Sequence, residues 1–186
     1  MASKGKLKGK EWYTVKSPEI FGSKKVGEIP AATEEALKGR TVESGATDLY
    51  GSSNKYYFKI KMKVEDVDGK TCRTRFAGHD CSRDYITRVV RKGSTRVDEI
   101  TEVETKDGVN MRVKTVCATI KTVGASTQTS IRKKIDEVLE KKALEKENEE
   151  FVKDILADKL QKDVKKELDK IYPLRVIEFR KTEVIS

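Results

Sequence analysis

The residues best suited to chemistry in this 186-residue chain lie in Tyr57-Phe58-Lys59-Ile60-Lys61-Met62-Lys63-Val64, followed a turn later by Arg73 and Arg75. That chemistry is neutralisation of phosphate: lysine and arginine displace the counterions of a nucleic acid, and arginine can bridge two phosphate oxygens with its planar fork. Tyr57, Lys59, Lys61 and Lys63 occupy one parity of a strand period, and Phe58, Ile60, Met62 and Val64 the other. A second concentration lies in the first 25 residues, where Lys4, Lys6, Lys8, Lys10, Lys16, Lys24 and Lys25 face only Glu11 and Glu19. Trp12 and Tyr13 stand just beyond that cluster. Their rings could stack on an unpaired base or equally anchor the segment on a protein body.

Catalysis is poorly provided for. The single histidine, His79, sits between Cys72 and Cys81, with Cys117 far along the chain. A structural zinc site usually takes four ligands in paired CxxC-like spacing, so no metal is expected and His79 reads as a turn or contact residue. There is no glycine-rich phosphate loop after a strand and no nucleophile motif, so neither a catalytic residue nor a cofactor is expected. Asp66 and Asp68 are explained by the turn they adjoin, although a metal-dependent nuclease remains an alternative, excluded if RNA stays intact with magnesium or zinc. An odd, sparse cysteine set suits free thiols in a reducing cytosol.

The formal net charge is +9 with a pI near 9.3, and charged residues make up 38 % of the chain. The charge is lopsided. Residues 131–170 carry 12 basic and 12 acidic side chains, whereas residues 1–130 carry 25 and 17. Such asymmetry points to a polyanionic partner. No apolar run approaches the ~20 residues of a membrane span, and no apolar stretch of signal-peptide length follows the lysine-rich start, which argues against a membrane and against secretion. Val, Ile, Leu and Phe total 44 residues, about 24 % and above the ~20 % that marks disorder, so a modest core can form.

These residues need elements to position them. The pattern divides the chain into a basic N-terminal arm over 1–36 and a single α+β domain over 37–186. Within the domain lie a β-rich body (37–122), a helical zone (127–171) and a closing strand (175–185). The arm, read as nearly devoid of apolar residues, should be extended and order on a partner. The body reads as a small antiparallel β-barrel or strongly curled sheet. A three-residue loop Val67-Asp68-Gly69 would put Val64 opposite Cys72, Lys63 opposite Arg73 and Lys61 opposite Arg75, an unfavourable meeting of like charges that a phosphate backbone would reverse. A second loop, Lys106-Asp107-Gly108, would put Val103 opposite Met111 and Glu102 opposite Arg112. Between the hairpins Ser82 can cap a short helix, with Tyr85, Ile86, Val89 and Val90 on one face and Arg83, Arg88, Arg91 and Lys92 on the other. From Met111 to Ile120 the parity switches, which calls for a bulge or burial on both sides. Ile131, Ile135, Val138, Leu139, Phe151, Val152, Ile155, Leu156, Leu160, Val164, Leu168 and Ile171 recur at spacings of three and four, the stripes of flanking helices.

Five segments also carry a resemblance. Lys10-Glu-Trp12-Tyr-Thr-Val-Lys-Ser-Pro18, Leu37-Lys-Gly-Arg40, Arg73-Thr-Arg-Phe-Ala-Gly-His-Asp80 running into Ser82-Arg-Asp-Tyr85, Thr105-Lys-Asp-Gly108 and Ile171-Tyr-Pro-Leu174 stand in order over most of the chain. Together they resemble the small-subunit ribosomal protein family called S-three-A-e, found in archaea and eukaryotes. The resemblance implies a non-enzymatic constituent of the small ribosomal subunit, in the cytoplasm, at the platform near the messenger exit. Its partners would be ribosomal RNA and neighbouring platform proteins. Contact of the neutral helical zone with another protein or a translation initiation factor, and contact with messenger RNA, are open partner readings. The resemblance carries RNA-facing roles to Lys10, Trp12, Lys38, Arg40, Arg73, Arg75 and Arg83. The chain lacks the longer C-terminal extension of eukaryotic members, so an archaeal member is expected. The alternative is a free RNA-binding protein or translation factor.

Overall fold

Alternation of buried and exposed residues builds the strands of the N-terminal half. In the computed structural model, which describes residues 9–50 and 56–185, the chain gathers into two compact units, Met1–Gly78 and His79–Ser186. The first holds β1 (Glu11–Lys16), β2 (Lys25–Ala31), β3 (Thr41–Gly45), a short helix α1 (Ala46–Tyr50), β4 (Phe58–Asp68) and most of β5 (Thr71–Cys81). Its strand order is β2-β1-β5-β4-β3. Tyr13, Val15, Ala31, Leu37, Val64 and Cys72 form one buried cluster beneath these strands.

Three expectations need correction here. The extended arm to residue 36 is, from Glu11 to Ala31, an antiparallel hairpin that pairs Glu11 with Ala31 and Trp12 with Pro30. Its lysines drew attention from a second pattern: Tyr13 and Val15 alternate into the core, and Phe21 and Ala31 are buried too. The body is neither wholly antiparallel nor a closed barrel. β1 runs parallel to β5 at Thr14–Thr71 and Val15–Cys72, and no ladder joins β2 to β3 among the described residues. Pro30 gives β2 no N–H at that position, as befits an edge strand. Finally, β4 continues through Val67 and Asp68, so the hairpin turn is Gly69-Lys70 rather than Val67-Asp68-Gly69. Gly69 still takes the positive φ the turn requires, and the strict alternation of β4 ends where Glu65 and Asp66 are both exposed in succession.

The second unit contains the end of β5, α2 (Arg83–Val89), β6 (Arg96–Glu104), β7 (Asn110–Thr119), α3 (Ala125–Leu144), α4 (Asn148–Leu156), α5 (Lys159–Leu168) and β8 (Leu174–Val184). Ser82 caps α2, its Oγ accepting from the Tyr85 N–H. The β6–β7 register pairs Val103 with Met111, Glu102 with Arg112 and Thr101 with Val113, as the three-residue loop predicts. Arg112 Nη2 donates to Glu102 Oε1 at 2.6 Å, and Gly108 has φ 76°. The parity switch in β7 is resolved both ways. Thr115 to Thr119 are all buried, and the β7–β8 register shifts between Lys114 and Thr115, leaving Arg180 as an extra residue in β8. Ile131, Ile135 and Leu139 of α3, Phe151, Val152, Ile155 and Leu156 of α4, and Leu160, Val164 and Leu168 of α5 are buried. Val138 is only half-buried, and Ile171, past the end of α5, is exposed.

His79 is the polar centre of this unit. It is fully buried; its Nε2 lies 2.8 Å from the Phe179 carbonyl oxygen and its Nδ1 2.8 Å from Thr182 Oγ1. A carbonyl only accepts, so Nε2 carries a hydrogen, and in the neutral ring Nδ1 accepts from the threonine hydroxyl. The His79 backbone N–H also donates to Thr182 Oγ1, at 3.2 Å. With both ring nitrogens bonded to protein, His79 is a tie between strands. Cys72, Cys81 and Cys117 are buried thiols, none of them in a disulfide among the described residues. Burial pushes the Cys117 thiol well up, with Asp98 adding to the effect.

Candidate nucleic-acid interface

Strand period alone turns the β4 cations outward. Phe58, Ile60, Met62 and Val64 are buried, Lys59 and Lys63 are exposed, and Lys61 is half-buried between them. On the neighbouring strand Cys72, Thr74 and Phe76 are buried, and Arg73 and Arg75 are exposed. Five cations therefore share the outer face of one strand pair. Two are answered by carboxylates: Lys61 by Glu43 at 3.3 Å from β3, and Arg73 by Asp68 at 3.4 Å. Lys59, Lys63 and Arg75 have no carboxylate partner among the described residues. Pairs open to solvent on at least one side, as these two are, are each worth only about 0 to 1 kcal/mol, so they exchange readily for a phosphate.

The remaining candidate residues divide by what surrounds them. Lys16 is exposed at the end of β1, and its carbonyl accepts from Thr74 Oγ1 at 2.7 Å, which sets it beside the Arg73–Arg75 stretch. Lys10 is exposed just before β1. Lys38 pairs with Asp66 at 3.1 Å, and the Lys38 hydrogen bond holds that carboxyl below its usual range. Arg40 donates to the Pro30 carbonyl at 3.3 Å. Trp12 is half-buried opposite Pro30, and Tyr57 is half-buried with its ring against Phe58, 4.7 Å between centroids. Tyr13 is a correction: it is buried in the core cluster, because it shares the inward parity of Val15, and it offers no face to a base. Lys4, Lys6 and Lys8 lie outside the described residues.

In the second unit Arg83, Arg88, Arg91 and Lys92 are all exposed, and Ile86 alone of α2 is buried. Sequence reasoning missed a further group. Arg96, Lys114, Arg180 and Lys181 line a cleft of about 520 Å³ together with Arg83. Its one available signal was the doublet Arg180-Lys181 interrupting the alternation of an apolar strand, a mark of a bulge. Glu183 bridges Lys114, at 3.2 Å, and Lys181. Lys181, aided by Lys114, holds the Glu183 carboxyl below its ordinary value near 4.5 although burial opposes this. A depressed carboxyl stabilises the fold above the unfolded value and loses that contribution as pH falls through the folded one. Glu183→Gln is therefore expected to lower stability at pH 7 by up to about 1 kcal/mol and to leave it unchanged near pH 3, read as urea unfolding midpoints at the two pH values. An equal loss at both would show that Glu183 acts through packing instead.

Fold and surface together define a basic α+β protein with an outward cationic sheet face and a charge-balanced helical zone. Among the described residues no helix is long and apolar enough to cross a membrane. Comparison with known proteins agrees on the class and narrows it. The Ribosomal S3Ae family matches residues 2–186, and the chain belongs to that family. It is 41 % identical over 185 residues to small ribosomal subunit protein eS1 of Sulfurisphaera tokodaii, covering 100 % of this chain and 96 % of that one. It is 37 % identical to the eS1 protein of Methanothermobacter thermautotrophicus, with 96 % and 92 % covered. To that of Methanopyrus kandleri it is 36 % identical, with 97 % and 88 % covered. The relatives are named as ribosomal proteins, a structural family and not an enzymatic one.

Proposed function

We propose that this chain is a structural constituent of the small ribosomal subunit that binds ribosomal RNA through the outer face of β4–β5 and the lysine-rich N-terminal start. The observation that carries the reading is the set Lys59, Lys61, Lys63, Arg73 and Arg75 on one face, three of them without a carboxylate partner among the described residues. Like charges crowded on a sheet cost a free protein stability, and a phosphate backbone converts that cost into attraction. Affinity then comes from phosphate neutralisation and shape, with little base-by-base readout. Lys10 and Lys16 extend the face, and Lys4, Lys6 and Lys8, outside the described residues, are added as RNA contacts on their charge alone. Lys38, Arg40, Trp12 and Tyr57 serve at its margin, and Arg83, Arg88, Arg91 and Lys92 form a separate contact. Placement at the platform near the messenger exit, beside other ribosomal proteins, is what the family resemblance implies; the names of the relatives support the small subunit alone. The helical zone over residues 131–170, with no net charge, suits a protein neighbour or an initiation factor better than RNA.

The test is sedimentation. Expressed in an archaeal host, the protein is expected to travel stoichiometrically with small subunits through a sucrose gradient after a high-salt wash. Recovery at the top of the gradient would favour a free RNA-binding factor instead.

A further inference from the structure

The cleft in the second unit is a second cationic site, built by different means from the sheet face. Arg83, Arg96, Lys114, Arg180 and Lys181 line it, with Asp80 the one carboxylate among the lining residues. Arg96 is held by Asp98 at 2.8 Å, and Glu183 serves Lys114 and Lys181 together. Arg83 and Arg180 have no carboxylate partner among the described residues. Two features show that the fold sustains this concentration at a cost. Lys114 and Lys181 are direct partners in the β7–β8 register, a facing pair of like charges. Arg180 is the extra residue of the bulge beside them, and a bulge re-aims a side chain that regular pairing would place elsewhere. Outside the cleft, Arg88, Arg91 and Lys92 continue the charge along the exposed side of α2 and beyond its end.

We infer that this cleft grips a phosphodiester of structured RNA through the guanidinium groups of Arg83 and Arg180, as a clasp separate from the β4–β5 face. A concave site with two uncommitted guanidinium groups fits one tetrahedral phosphate held from two sides, and the track along α2 fits the next phosphates of the same strand. An acidic peptide carries its charge irregularly on longer side chains and has less use for such a track. The inference rests on the reading that the chain binds ribosomal RNA.

The experiment is a salt titration of full-length protein binding to small-subunit ribosomal RNA, comparing the natural protein with Arg83→Gln, Arg180→Gln and the double variant. Each lost phosphate contact is expected to lower the steepness of log affinity against log salt by about 0.7 to 0.9, and the double variant to bind roughly 50-fold more weakly near 0.1 M salt. Arg180→Lys is expected to retain most of the steepness, since it keeps the charge. Arg83 is exposed at the start of α2, so Arg83→Gln reports on the clasp even if replacement at the Arg180 bulge perturbs the sheet. Unchanged steepness and affinity in the double variant, with tight binding by the natural protein, would overturn the clasp and leave the sheet-face reading standing. Absence of RNA binding by the natural protein at low salt would overturn both. Loss of polyglutamate binding in the double variant, with RNA binding intact, would assign the cleft to an acidic protein and overturn the inference.

Discussion

Replacing Lys59, Lys63 and Arg75 together by glutamate is expected to weaken binding to small-subunit ribosomal RNA by on the order of 10³-fold near 0.1 M salt. These three cations of the β4–β5 face lack a carboxylate partner among the described residues, so their charge is fully available to phosphate. Three lost contacts at about 0.9 each lower the salt steepness by roughly 2 to 3, and reversed charge adds repulsion. The corresponding glutamine triple variant is expected to lose about 10²-fold, since it removes attraction without adding repulsion. All three side chains are exposed, so the thermal midpoint should stay within a few degrees, and relief of like-charge crowding could even raise it. Filter binding across salt concentrations reads both quantities. If the glutamate variant binds as the natural protein does, the face is only a solvated surface.

The second large effect concerns stability. Thr182→Val keeps the size of the side chain but removes the hydroxyl used by both the backbone N–H and Nδ1 of His79. Loss of a buried partner by two polar groups is expected to cost about 2 to 4 kcal/mol. His79→Ala adds a cavity where a fully buried ring stood and should cost about 3 to 5 kcal/mol. Urea unfolding followed by circular dichroism measures both, and zinc should change neither the natural protein's midpoint nor the variants'. A cost below about 0.5 kcal/mol for Thr182→Val would mean that the histidine is held by its surroundings and not by this hydroxyl.

Much of this was written locally in the chain. The outward parity of Lys59, Lys61 and Lys63 follows from the period of a strand, and the pairing of Glu102 with Arg112 from a glycine at the end of a three-residue loop. The helices were legible because spacings of three and four have no other economical reading. What failed were cases where one local signal masked another or where distance along the chain decided. Lysines hid the short alternation of Tyr13 and Val15, so a paired strand was read as an arm. A barrel was admitted because nothing local states whether two edge strands will meet. The cleft escaped notice since Lys114 and Lys181 become neighbours only when β7 pairs β8. His79 could be read only as a turn or contact residue, because the partner that explains it, Thr182, stands over a hundred positions later.

One trait of β4 reaches beyond any single contact. Each outward lysine is flanked by interior residues that do the packing, so its identity can drift without disturbing the architecture beneath. Grip on a polymer can thus be tightened or slackened one position at a time, like independent stops on an instrument. A lineage living at high internal salt and another living at low could retune the same scaffold to its own milieu.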